Sequence, residues 1–236
     1  MEKRDWKPKN TKVIVLGLGL EDWDNPDDAI GHRDEVLHKF FKKCGVPAKN
    51  NIHIRNEKGD YDSMVAFLPD FLAESDEETL FIFYYAGHGD VVADSEQEYD
   101  LQFCHPSEDA ESLTLTDLIE AIEENFEGTN VLLMADCCCS GNIARFAATT
   151  ESEYAYAGLT SSLASKSSTG NWTFTDCVLE ALQGINHIDA DENGTISLQE
   201  LADYVKVQMK EVENQKADFG FGEYFDCHMR LGTSKA

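Results

Sequence analysis

The chain has 236 residues, long enough for one sizeable α/β domain and short for two. Hydrophobic residues make up 42% of it, as in a folded globule, and the formal charge of −26 excludes ordinary electrostatic binding to nucleic acid and repels anionic membranes. No apolar run is long enough to span a bilayer, and the opening MEKRDWKPKN lacks the apolar core of a signal peptide.

Residues 12–18 (KVIVLGL) read as a first buried strand, followed by the acidic loop EDWDNPDDAIG. Val36, Leu37, Phe40 and Phe41 recur at helical spacing over 33–44, and Gly45-Val46-Pro47 stops that helix. A short strand at 51–55 and a helix over 60–74, interrupted or kinked near Pro69, come next. Residues 79–86 form a second continuous apolar strand, 90–99 a polar acidic loop, and 99–103 a short strand. The segment 114–126 predicts an amphipathic helix capped by Thr114 or Thr116, and 130–135 another buried strand. Residues 140–153 have loop-like composition with an exposed Arg145; 154–159 read as a strand and 160–170 as a Ser-rich loop. Helices over 174–183 and 198–210 and a closing strand over 223–231 complete the series. Strands alternating with helices argue for a mostly parallel sheet with helices on both faces and no interdomain linker.

Two of these strands end in reactive residues. TLFIFYYAGHGD places His88 directly after one, and NVLLMADCCCSGN places Cys138 directly after another. Parallel strands send their exits to one edge, the carboxyl edge, where open α/β proteins bind ligands. A thiol and an imidazole can meet there, the thiol as nucleophile and the imidazole as acid and base. Gly87 and Gly89 let backbone approach a substrate closely, and the Gly89 amide can hold a developing oxyanion. The seven cysteines follow no disulfide or zinc spacing, and neighbouring strand positions cannot turn Cys137, Cys138 and Cys139 to one metal. A reducing cytoplasm is expected.

GHG after one apolar strand and Asp136-Cys137-Cys138-Cys139-Ser140-Gly141 after another resemble the caspase-hemoglobinase fold, nearest to its metacaspase and bacterial caspase-like (orthocaspase) branch. The resemblance implies a three-layer α/β/α fold with a mostly parallel sheet of about six strands. It implies one domain, with a large-subunit-like part over 11–145 and a small-subunit-like part over 154–232. It also implies a cysteine endopeptidase with Cys138 as nucleophile, His88 as partner, and the Gly89 and Cys138 amides as oxyanion hole.

Caspases that cut after aspartate carry a Q-A-C-R-G-like nucleophile motif, absent here. In metacaspases the aspartate matching Asp136 lines the primary pocket and pairs with substrate arginine or lysine, so basic peptides or proteins are the expected substrates. A second pocket acid aligns with Asp34, with Asp27 and Asp28 as competing choices; Asp34 could also be an ordinary acid in the first turn of a helix. Ala86 stands where the family often has serine, and Ser161 to Lys166 replace an acidic cluster, which leaves Ser161 and Trp172 as candidate pocket contacts. Self-cleavage is expected at Arg145 or Lys166, both read as loop residues, and an activating partner fits the family's habits.

The twelve residues from Asp189 to Glu200 match an EF-hand loop. Calcium ligands fall at Asp189, Asp191, Asn193, the Thr195 carbonyl, Ser197 and Glu200, with Gly194 at the sharp turn. The loop is single, without the paired arrangement of calcium sensors, and a purely structural acidic turn capping the next helix is the alternative. The acid cluster of calcium-activated metacaspases is only partly matched, by Asp94, Glu96, Glu98 and Asp100. Two other functions stay open for the whole chain: a catalytically inactive caspase-like regulator or scaffold, and a calcium-binding module with incidental thiols.

Overall fold

A computed structural model describes residues 5–20, 32–93 and 99–235. Asp27, Asp28, Asp94, Glu96 and Glu98 lie outside them. In chain order the elements are β1 (Thr11–Gly17), α1 (Arg33–Cys44), β2 (Asn51–Arg55), α2 (Tyr61–Ala73), β3 (Leu80–Ala86), β4 (His88–Val91) and β5 (Leu101–Cys104). There follow α3 (Leu115–Asn125), β6 (Asn130–Asp136), α4 (Gly141–Thr149), β7 (Ala155–Thr160), α5 (Thr173–Gln183), β8 (Thr195–Ser197), α6 (Leu198–Glu213), β9 (Asp218–Phe221) and β10 (Arg230–Thr233).

The central sheet runs β2-β1-β3-β6-β7-β9, parallel except for β9 at its edge. Strands β1 and β3 are buried at every position, which explains their unbroken apolar sequences: both faces are covered. Val13, Val15, Tyr84, Leu132 and Met134 face one core with residues of α1, α5 and α6. Ile14, Leu16, Phe81, Phe83 and Leu133 face the other with residues of α2, α3 and α4. This is the expected three-layer α/β/α architecture.

Three sequence expectations change. The stretch 140–153 is not a loop: Gly141–Thr149 is helical, with Ile143, Phe146 and Ala147 buried at helical spacing against the second core. Its Gly, Asn and Thr content hid that periodicity. The helix lies so close to β7 that a Cβ at Gly158 would stand 2.9 Å from the Ile143 carbonyl oxygen. Residues 223–231 are not one strand either; the chain adds β9 to the sheet earlier, turns, and pairs β10 with β8. The polar segment after His88 opens as β4, in a hairpin with β5. Pro69 sits inside α2 without ending it. Among the described residues no helix is long and apolar enough to cross a membrane.

Candidate active site

The register of β3 on β6 sets Ala86 opposite Asp136, and the Gly87 N–H donates to the Asp136 carbonyl at 3.4 Å. His88 and Cys138 each follow two residues later, so adjacent strands deliver both to one edge. Gly89 packs directly on the nucleophile segment: a Cβ there would collide with the Cys138 carbonyl oxygen and stand 2.8 Å from Cys137 Sγ. Only glycine allows this approach. His88 is exposed, and a Cβ at Gly19 would lie 3.5 Å from its ring.

Sequence reasoning missed Tyr85. Its fully buried hydroxyl donates to the His88 carbonyl at 2.6 Å. The peptide between His88 and Gly89 is planar and trans, so fixing that carbonyl aims the Gly89 N–H the opposite way. The tyrosine is legible only in hindsight, as one more aromatic in an apolar run. Cys137 is buried, and burial pushes its thiol well above the ordinary range. Burial also pushes Cys139 and Cys104 up, so these neighbours stay protonated.

A loop lies over Cys138. The Ser168 N–H donates to Cys138 Sγ at 3.2 Å, and the Cys139 N–H donates to the Lys166 carbonyl at 2.8 Å. Ser161 and Ser168 share a hydroxyl contact of 3.1 Å, and Gln215 Nε2, just beyond α6, donates to the Ser161 carbonyl at 2.5 Å. Ser161 is thus buried at the base of this cover.

On the face of the sheet carrying α1 and α5, Gly17, Ala86 and Asp136 stand in one row across β1, β3 and β6. Asp34, in the first turn of α1, reaches over Gly17, where a Cβ would come within 2.5 Å of its Oδ2. Two carboxylates therefore flank the small residue Ala86. Both are fully buried. Asp34 Oδ2 accepts from His53 Nε2 at 2.8 Å and lies 3.4 Å from Arg55 Nε. Burial pushes the Asp34 carboxyl up, but the His53 hydrogen bond and the Arg55 charge bring it below its usual value. Asp136 Oδ2 accepts from Thr175 Oγ1 at 2.8 Å. Burial dominates at Asp136 and raises its pKa to about 7, against the opposing pull of the Thr175 and Ser161 hydroxyls. One oxygen on each, Asp34 Oδ1 and Asp136 Oδ1, has no hydrogen-bond partner. Arg33 Nε pairs with Asp176 Oδ1 at 2.8 Å and ties α1 to α5 beside this row.

The family model for the caspase domain matches residues 34–219, from the first of these carboxylates to β9. The chain belongs to the caspase-domain family. That family is one of cysteine peptidases, which act on protein substrates. No curated protein matches the sequence. Among solved structures, a Geobacter sulfurreducens protein superposes with a TM-score of 0.59 over 96% of this chain and 100% of its own, at 11% identity. At that identity the likeness speaks for the fold alone.

Other candidate residues of this caspase domain fall in varied settings. Trp172 is 7% exposed and packs in the core shared with α5 and α6, not as an open pocket wall. Arg145 is exposed in the middle of α4, whereas Lys166 is exposed in the loop over Cys138. Asp100 is buried and accepts from the Thr116 N–H at the start of α3. In the loop from Asp189 to Glu200, carboxylate oxygens of Asp189, Asp191 and Glu200 lie within 4.8 Å of one another and could hold a metal ion. Asp189 accepts from the Asn193 and Gly194 N–H groups, Asn193 Oδ1 from the Thr195 N–H, and Glu200 from Ala190 and Ser197. Gly194 takes a φ of +84°, as its turn requires. Strand β8 lies within this loop and pairs antiparallel with β10.

Proposed function

We propose that this chain is a cysteine endopeptidase that cuts after arginine or lysine. Cys138 gives its thiol proton to His88 as Sγ attacks the scissile carbonyl, and His88 passes that proton to the leaving amine, giving a thioester and a new amino terminus. Water, deprotonated by His88, then attacks the thioester, releases the carboxyl product and returns the thiol. The Gly89 and Cys138 N–H groups stabilise the oxyanion of each tetrahedral intermediate. One observation carries the specificity: two buried carboxylates beside the nucleophile, each with an unpartnered oxygen, flank a small residue. A guanidinium or ammonium satisfies both oxygens; an aspartate side chain would add a third negative group.

Before a substrate can bind, the loop over Cys138 has to move. Lys166 lies in that loop with its side chain in solvent, so self-cleavage there requires the loop to re-enter the site with Lys166 in the pocket. Cleavage at Arg145 requires unwinding α4, and Lys166 is the favoured position. The covered thiol also supports a second reading, a caspase-like regulator or scaffold that never turns over. Calcium suits the loop from Asp189 to Glu200, whose donors are oxygens of the kind hard cations take. Asp189, Asp191, Asn193, Thr195, Ser197 and Glu200 would hold it, and it would brace the start of α6. All seven cysteines are free, which supports a cytoplasmic setting.

Fluorogenic peptides ending in Arg, Lys or Asp, assayed with calcium and with chelator beside Cys138→Ala, test the proposal. Cysteine-dependent cleavage after Arg or Lys is the expected result. Cleavage only after Asp overturns the pocket, and silence throughout together with an unreactive Cys138 favours the scaffold.

A further inference from the structure

The buried pair Tyr84 and Thr175 lies behind Asp136 and is used by no step above. Both side chains are fully buried. Thr175 Oγ1 lies 2.8 Å from Asp136 Oδ2 and 2.5 Å from the Tyr84 hydroxyl. A threonine hydroxyl has one hydrogen. While Asp136 is ionised that hydrogen goes to the carboxylate, so the Tyr84 hydroxyl donates to Thr175. The relay ends on a buried carboxylate whose other oxygen is unpartnered.

We propose that Thr175, backed by Tyr84, is the positioning residue that holds Asp136 for a basic substrate side chain. This deepens the arginine or lysine reading and rests on it. Thr175 is suited to the task by its place in the first turn of α5, where its backbone N–H also favours the ionised carboxylate. With Oδ2 tied back, the carboxylate is fixed in rotation and presents Oδ1. The Arg33–Asp176 pair steadies the same turn of α5 against α1, the helix that carries Asp34. The charged and titratable groups around Asp136 are Tyr84 from β3, the adjacent Cys137, Asp176 and Cys177 from α5, and Asp34 across Ala86 from α1, with Arg33 of α1 paired to Asp176. The hydroxyl and amide of Thr175 are the hydrogen-bond donors from α5 that favour the ionised form of Asp136.

The test compares wild type, Thr175→Val, Thr175→Ser and Tyr84→Phe in the full chain on an arginyl peptide between pH 5.5 and 9. Thr175→Val is expected to lower kcat/KM about tenfold to a hundredfold, through KM, and to move the acidic limb of the profile upward. Thr175→Ser restores both. Tyr84→Phe shifts both in the same direction by less, and adding it to Thr175→Val changes little further. A wild-type KM and acidic limb in Thr175→Val, or a Thr175→Ser variant as impaired as Thr175→Val, overturns the assignment. Isotope-edited infrared titration of the Asp136 carboxyl gives a readout independent of turnover. If wild type fails to cut arginyl peptides, the specificity reading fails alone. If the carboxyl titrates at the same pH in wild type and Thr175→Val, the relay fails whatever the substrate.

Discussion

The molecule uses acids in two opposite ways. In the loop from Asp189 to Glu200, the buried Asp189 and the half-buried Glu200 accept several backbone N–H groups of their own loop. Beside Cys138, Asp34 and Asp136 are fully buried and each leaves an oxygen with no partner. Asp34 is compensated by His53 and Arg55, whereas burial raises the Asp136 pKa to about 7; a buried carboxylate left with an unpartnered oxygen is destabilising, and a basic ligand would complete it. The loop acids are arranged by local turn chemistry; the two buried acids are arranged by the sheet and by the helix packed on it.

The largest expected contrast is at the nucleophile. Cys138→Ala and His88→Ala should each lower peptide hydrolysis by at least about a thousandfold while leaving the circular dichroism spectrum unchanged. Residual hydrolysis near wild type in either variant would remove that residue from the chemistry.

Asp136→Asn should separate function from stability. Cleavage after arginine should fall by about a hundredfold or more, because the basic side chain loses its charged partner. Folding stability should move the other way. In the folded chain Asp136 holds its proton up to about pH 7, while an unfolded aspartate releases it near pH ~3.9. Between those values the folded state binds more protons, so stability falls as pH rises and stays lower above pH 7. The asparagine variant escapes this, and should be more stable than wild type at pH 8 and nearly equal at pH 4 in urea melts. A variant less stable at both values would break the comparison.

Calcium effects should be smaller and confined to the loop. At about a hundredfold excess over Kd, binding to the folded chain alone contributes about 2.7 kcal/mol, or roughly 5–10 °C in melting temperature. Glu200→Gln should abolish that shift while changing stability little without calcium, since the glutamine amide oxygen can still close the capping box of α6. Equal melting with calcium and with chelator would make the loop a purely structural turn. The smallest effect concerns the cover: Gln215→Ala removes its anchor at the Ser161 carbonyl and should speed alkylation of Cys138 by iodoacetamide a few-fold.

What the sequence could and could not disclose follows the same division. The parallel strands were legible because β1, β3 and β6 are buried on both faces and read as continuous apolar runs. The loop from Asp189 to Glu200 was legible because its geometry is local. Helix α4 was hidden, since Gly141, Asn142 and Thr149 have turn-like composition and only its packing on β7 and β9 makes it helical. Roles that depend on contacts distant in sequence were hidden too. Thr175 meets Tyr84 and Asp136 across separations of 91 and 39 residues, and Gln215 meets Ser161 across 54. No local pattern marks such partners.

The most direct test of the account is the rate at which Cys138 is alkylated by an arginyl chloromethylketone and by its aspartyl counterpart, read by intact mass in wild type and Asp136→Asn. The account predicts that the arginyl reagent labels wild type at least about tenfold faster and that Asp136→Asn erases the preference. Equal rates for the two reagents in wild type, or a faster aspartyl reagent, would contradict it.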